Sequence, residues 1–282
     1  MAGPIACPLC GRTQHHANAR CLGCGEPLAS NTAKPRLSNA ARRALAIGFA
    51  LAVVLTLIPF TRILFFPLIT IVHELGHAAT AWMFGYPAIP AFDFGEGGGM
   101  TMTRDRVPLL LLIPYGLLAA ALWKARHDVP TVIALLVVAA VYSRLAFTNS
   151  HNALILAMGH GAELLMALVF LHRAMAGTTL LQADERPAYA MCAFLILIHD
   201  VQFAWTISRS TEAQAAYAEG KSSVENDWIV LAADHVNISV PGIARIFLLA
   251  CLAGPVIPWL LYRHESTMAE WWMRVTAGVE EP

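Results

Sequence analysis

The sequence predicts an all-α polytopic membrane protein of about seven transmembrane or re-entrant helices (six to eight), preceded by a small four-cysteine metal module. Three observations predict it. Of the 282 residues, 57% are hydrophobic and only 13% charged. The apolar residues come in blocks near the roughly 20 residues that cross a bilayer, instead of the periodic stripes of a soluble chain. Two C-x2-C pairs open the chain. The formal net charge is zero, which gives a nucleic-acid partner no electrostatic support.

The front module spans residues 1–29. Cys7 and Cys10, then Cys21 and Cys24, form two knuckles separated by ten residues, and four thiolates at this spacing suit one tetrahedral zinc. Gly11 and Gly25 follow the knuckles and allow the tight turns that bring the sulfurs together. The segment resembles a zinc ribbon. It is too short to build an apolar core, so metal binding would supply most of its folding free energy and the ion would be structural. His15 and His16 are read as loop residues, because four cysteines already close the site. The alternative for such cysteines is a pair of disulfides in an oxidising compartment.

Residues 30–43 form a polar linker whose Lys34, Arg36, Arg42 and Arg43 abut the first apolar block. The positive-inside tendency then puts the N-terminus in the cytoplasm, where thiols stay reduced and the ribbon is free to meet a protein partner. No signal peptide is expected, since some forty polar residues come first.

The membrane domain is assigned to residues 44–265, with a tail at 266–282. Its charge-poor blocks fall at about 44–60, 63–84, 107–123, 129–147, 152–171, 188–207 and 241–262. Pro59, Pro67, Pro114, Pro255 and Pro258 interrupt several of them, as kinked or half-spanning segments around a polar interior would require.

The second block contains HELGH, residues 73–77. On a helix, His73 and His77 project from one face, where two imidazoles can hold one zinc with Glu74 beside the open position as general base. Three ionisable groups within five residues of a membrane span are costly, at roughly 2.5–3.5 kcal/mol each for charged types, and a metal in a hydrated pocket accounts for all three. The bland alternative is an interhelical hydrogen-bond cluster of neutral histidines and a protonated glutamate.

The stretch HELGHAATAWMFGYPAIPAFDFGEGGGMT, residues 73–101, resembles the catalytic segment of the site-2-type intramembrane zinc metalloproteases. In that family the motif helix is followed by a glycine and then by an aromatic-rich, glycine-rich membrane-associated strip. Gly85, the run Phe92, Asp93, Phe94, Gly95, and Gly97 to Gly99 occupy those places. The resemblance covers about thirty residues. It implies a zinc-dependent endopeptidase cutting in or near a membrane-spanning protein segment, with water reaching the ion through a polar cavity.

That family takes its third ligand from a later aspartate in an LDG-type strip, and this chain has no DG dipeptide. His160 and Glu163 share one helix face and are bracketed by Gly159 and Gly161, so they are the first choice for the third ligand or for its support. Asp227, at the start of an apolar stretch, is the second choice. Asp234 and His235 rank below it, and the adjacent His199 and Asp200 point about 100° apart and suit no shared ion.

Cys192 and Cys251 read as small core hydrophobes. Trp82, Trp123, Trp228, Trp259, Trp271 and Trp272 read as interfacial anchors. Residues 209–223 read as a solvent-facing loop. Two other function classes remain open: a membrane metalloenzyme acting on lipid, and a non-catalytic scaffold or metal sensor with the ribbon as its partner-binding arm. The chain lacks the repeated histidine boxes usual in the former.

Overall fold

The computed structural model describes residues 5–6, 13–14, 37–93, 98–176, 185–219 and 226–277. The chain divides into two compact units, residues 1–37 and 38–282. In the first, β1 (Ile5–Ala6) pairs antiparallel with β2 (Thr13–Gln14). Cys7, Cys10, Cys21 and Cys24 lie outside the described residues, as do His15 and His16.

Among its described residues the second unit is helical apart from one hairpin. Its first helix, α1 (Asn39–Leu57), is capped by Ser38, whose hydroxyl accepts from the Ala41 amide at 3.1 Å. Pro59 ends it by forcing Ile58 into an extended conformation, and the same proline opens α2 (Pro59–Met83) at a position where its missing N–H costs nothing. Pro67 lies inside α2, two turns before HELGH, and removes one rung of its hydrogen-bond ladder.

Just past the end of α2, Gly85, with a φ of 86°, turns the chain back. The carbonyls exposed there are taken up by side chains: Tyr142 donates to Met83 O at 2.7 Å and Arg106 donates to Phe84 O at 2.9 Å. The hairpin follows, with β3 (Ala88–Asp93) antiparallel to β4 (Gly98–Thr103) in a register that runs from Ala88 opposite Thr103 to Asp93 opposite Gly98. Both strands pack on α2.

A 3-10 turn at Pro108–Leu111 leads into α3 (Leu112–Lys124), followed by α4 (Val129–Ala146), α5 (Ser150–Ala176) and α6 (Arg186–Arg209). Then come the short α7 (Thr211–Glu219) and α8 (Asp227–Val230), a π turn at Leu231–His235, α9 (Val240–Ala253), α10 (Val256–Arg263) and α11 (Glu265–Ala277). α5 lies between α2 and α6, and α6 also packs on α1 and α9.

All seven apolar blocks are helical. Among the described residues six helices are long and apolar enough to cross a membrane: α1, α2, α4, α5, α6, and the combined Val240–Arg263 that takes in α9 and α10. The seventh block, Pro108–Lys124, is apolar but shorter. The outer faces carry exposed Phe49, Leu117, Ile133, Val137 and Leu249, a surface that a lipid solvent accepts and water does not.

Two expectations are corrected. Residues 211–219, read as loop, are the helix α7, whose alanines favour it and whose start is capped by Ser210 Oγ accepting from the Ala213 amide at 3.1 Å. Trp228, read as an interfacial anchor, is only 2% exposed. Its indole packs among His160, Phe203, Phe247 and Tyr217 at ring-centroid distances of 4.8, 5.0, 5.6 and 6.2 Å. A tryptophan beside a polar turn looks alike in both settings until the partner rings are known.

Candidate metal centre

α2 runs with its HELGH face against α5. The two helices come close because Gly76 has no side chain: a β-carbon there would land on the Met158 carbonyl. Gly159 serves the histidines in the same way, since a β-carbon there would overlap His73 Nε2 and His77 Nε2. The glycine noted in sequence as a place for backbone approach therefore makes room for imidazole nitrogens.

His73 and His77 turn their Nε2 atoms toward one carboxylate oxygen. Asp227 Oδ2 lies 2.9 Å from His73 Nε2 and 3.1 Å from His77 Nε2. The other ring nitrogens are held from α5. His77 Nδ1 donates to the Ile155 carbonyl at 2.7 Å, which fixes its tautomer with Nε2 as the free lone pair. His73 Nδ1 meets Glu163 Oε1 at 3.2 Å, and the second oxygen of Glu163 meets His160 Nδ1 at 2.7 Å.

Of the ranked candidates, Asp227 faces both Nε2 atoms, Glu163 stands behind His73, and His160 stands behind Glu163. The first and second choices thus occupy different layers of one cluster. His73, His160 and Glu163 also form a group whose ligand atoms lie within 4.8 Å of one another, as do His73, His77 and Asp227. The former is a carboxylate bridging two imidazoles, each within hydrogen-bond reach of its own oxygen; the latter converges three atoms on one point.

That convergence fits a tetrahedral cation. Zinc bonds of about 2.0–2.2 Å at tetrahedral angles separate ligand atoms by about 3.3 Å, within a few tenths of the distances found. With Nδ1 of both rings donating to α5, two N–H groups aimed at one oxygen would require both His73 and His77 doubly protonated, whereas an ion needs only the lone pairs.

Asp227 opens α8, and its carboxyl is set by opposing effects. Burial pushes its pKa up, but hydrogen bonds from His73 and His77, with their charge, outweigh burial and hold it below the usual carboxylate range. Burial and the neighbouring Asp227 charge push the Tyr217 phenol up. Tyr217 also anchors the start of α8, its carbonyl accepting from Asn226 Nδ2 at 2.5 Å. The π turn that follows α8 is a form often found at functional sites.

Glu74 lies on the side of α2 toward the hairpin and is 6% exposed. Thr101 Oγ1 donates to Glu74 Oε2 at 2.7 Å and sits 3.0 Å from the Glu74 carbonyl. Gly99 covers the remaining oxygen closely, for a β-carbon there would come within 2.5 Å of Glu74 Oε1. Thr101, Gly99 and the Ile155 carbonyl carried no signal in the sequence beyond a glycine-rich strip, because nothing in one dimension pairs β4 with residue 74.

The remaining polar residues stay apart from this cluster or flank it. Asp200 is fully buried on α6, whereas His199 faces Phe66 on α2 with ring centroids 6.4 Å apart. Asp234 is exposed in the π turn and His235 is half-buried. Cys251 is buried and Cys192 half-buried, both as free thiols. No family model, curated protein or solved structure matches this chain.

Proposed function

We propose that the protein is a zinc-dependent intramembrane endopeptidase, with His73, His77 and Asp227 as zinc ligands and Glu74 as general base. The observation that carries this reading is the meeting of Asp227 Oδ2 with the Nε2 atoms of both histidines, with Glu74 next to His73 on the same helix. Glu163 and the Ile155 carbonyl orient the two imidazoles from behind.

Bound zinc would supply Lewis acidity to a peptide carbonyl and make a coordinated water acidic near neutral pH. The Thr101 hydroxyl holds Oε2 of Glu74 in place, and the carboxylate would take the proton of the attacking water and return it to the departing amine nitrogen. The low exposure of Glu74 keeps bulk water away from the carboxylate, which strengthens its interaction with the proton it handles.

The substrate class is a membrane-spanning or membrane-adjacent protein segment, because the motif is carried by a helix of membrane length and composition. The four N-terminal cysteines bind a second, structural zinc, and the ribbon they form faces the cytoplasm as a docking arm for a protein partner.

The test is Glu74→Gln. It retains the ion held by the histidines and abolishes cleavage of a membrane-segment substrate, while His73→Ala or His77→Ala loses the ion. Equal cleavage by wild type and Glu74→Gln overturns the protease reading and favours a scaffold or sensor.

A further inference from the structure

A cavity of about 510 Å³ opens between the end of α1, the first half of α2, α6 and β3. Its volume falls in the roughly 300–1,000 Å³ range of built ligand pockets. The walls are apolar, with Phe66 and Ile69 from α2, Leu195 from α6 and Phe92 from β3. Thr56 and Thr61 also line it, but their hydroxyls donate to the Ala52 and Ile58 carbonyls, each at 2.7 Å. Those two side chains therefore add little polarity. The polar side chains that remain are both on α6: the imidazole of His199, set edge-on to Phe66, and the exposed Gln202, whose amide both donates and accepts.

Two elements, α2 and the hairpin, contribute both to the cavity wall and to the candidate metal centre. Phe92 is the register partner of Gly99, and Gly99 is the residue pressed against Glu74 and Thr70. Ile69 precedes Glu74 by a turn and a half of α2, about 7.5 Å along the axis. Pro67, which breaks the α2 ladder, is itself part of the wall.

We infer that this cavity is a specificity pocket that receives one bulky apolar side chain, aromatic or branched, of the substrate segment; the inference rests on the endopeptidase reading. A peptide unwound for cleavage brings an apolar side chain together with backbone N–H and C=O groups that are costly to leave unpaired in hydrocarbon. An apolar hole edged by a carboxamide and an imidazole answers both needs. A lipid acyl chain would need only the hole.

The test uses the full chain in phosphatidylcholine nanodiscs with two dipeptide hydroxamates that differ in one side chain, methyl or benzyl, and a third, naphthylmethyl, for the enlarged cavity. Wild type binds the benzyl compound roughly tenfold or more tighter, the scale on which an apolar pocket discriminates. Leu195→Trp fills the cavity and removes the preference. Phe92→Ala enlarges it and shifts the preference to a naphthylmethyl compound, so that the outcome does not hang on one variant's folding; zinc content reports that each variant is intact.

Equal binding of the two compounds by wild type, or an undiminished benzyl preference in both variants, overturns the inference while leaving the metal centre standing. Wild-type binding that is equal for both compounds and rises for both when lipid is stripped assigns the cavity to an acyl chain instead. Failure of wild type to bind either compound overturns the metal-centre reading and this inference with it.

Discussion

Thr101 donates its hydroxyl to Oε2 of Glu74 at 2.7 Å, across the space between strand β4 and helix α2. A hydrogen bond to a charged group contributes about 1.5–3 kcal/mol, so losing it costs roughly ten- to a hundredfold in rate. Thr101→Val keeps the shape and removes the donor. Its kcat is expected to fall by that factor with zinc content unchanged, and Thr101→Ser should recover most of the loss. Single-turnover cleavage beside metal analysis measures both.

Asp227 and Glu163 are expected to separate in their effect on the ion. Asp227→Ala removes a ligand and should empty the site, whereas Glu163→Gln removes an outer partner and should weaken zinc by about 10–100-fold. Metal titration in a Cys7→Ser, Cys10→Ser background, which removes two of the four proposed ribbon ligands, makes the comparison. Full occupancy in Asp227→Ala with loss in Glu163→Gln would move the ligand role to α5.

Two glycines on α5 provide a matched pair. A β-carbon at Gly159 overlaps both Nε2 atoms, whereas one at Gly161 meets only the end of the flexible Met158 side chain, at 3.0 Å. Gly159→Ala is therefore expected to lose the ion, and Gly161→Ala to keep it. Gly161→Ala should also gain a few tenths of a kcal/mol or more from helix propensity, read as a raised melting temperature.

Trp228 is the largest fully buried side chain near the cluster. Trp228→Ala is expected to cost about 3–5 kcal/mol and to lower zinc affinity as well, because it frees the short helix that carries Asp227. Trp228→Phe should restore most of both. Thermal unfolding with and without added chelator separates the two effects.

The membrane domain was legible because lipid imposes a crude code: blocks of apolar residues near twenty long can hardly be anything else, and all seven blocks are helical. The histidine pair was legible for a similar reason, since its i, i+4 spacing is local. Asp227 and Glu163 were both visible as ionisable groups near apolar segments, but their layers were not, because order around a point depends on how α5 and α8 approach α2. Glycines at 76 and 159 set that approach, and a missing side chain announces nothing about what fills its place. Thr101 was invisible, as its partner lies across a hairpin whose register no local pattern specifies.

Asp227 follows His73 by 154 residues, which gives the site a schedule. At about 5–20 residues per second, the ribosome adds Asp227 roughly 8–30 s after His73. Glu163 is made first, only 90 residues behind His73, and meets the opposite ring nitrogen. During synthesis the partner of His73 Nδ1 on α5 is thus available before the partner of its Nε2, so α2 can settle against α5 before Asp227 is made. On the endopeptidase reading, competence would then come only as the last third of the chain emerges, after the helices that precede Asp227 have been made.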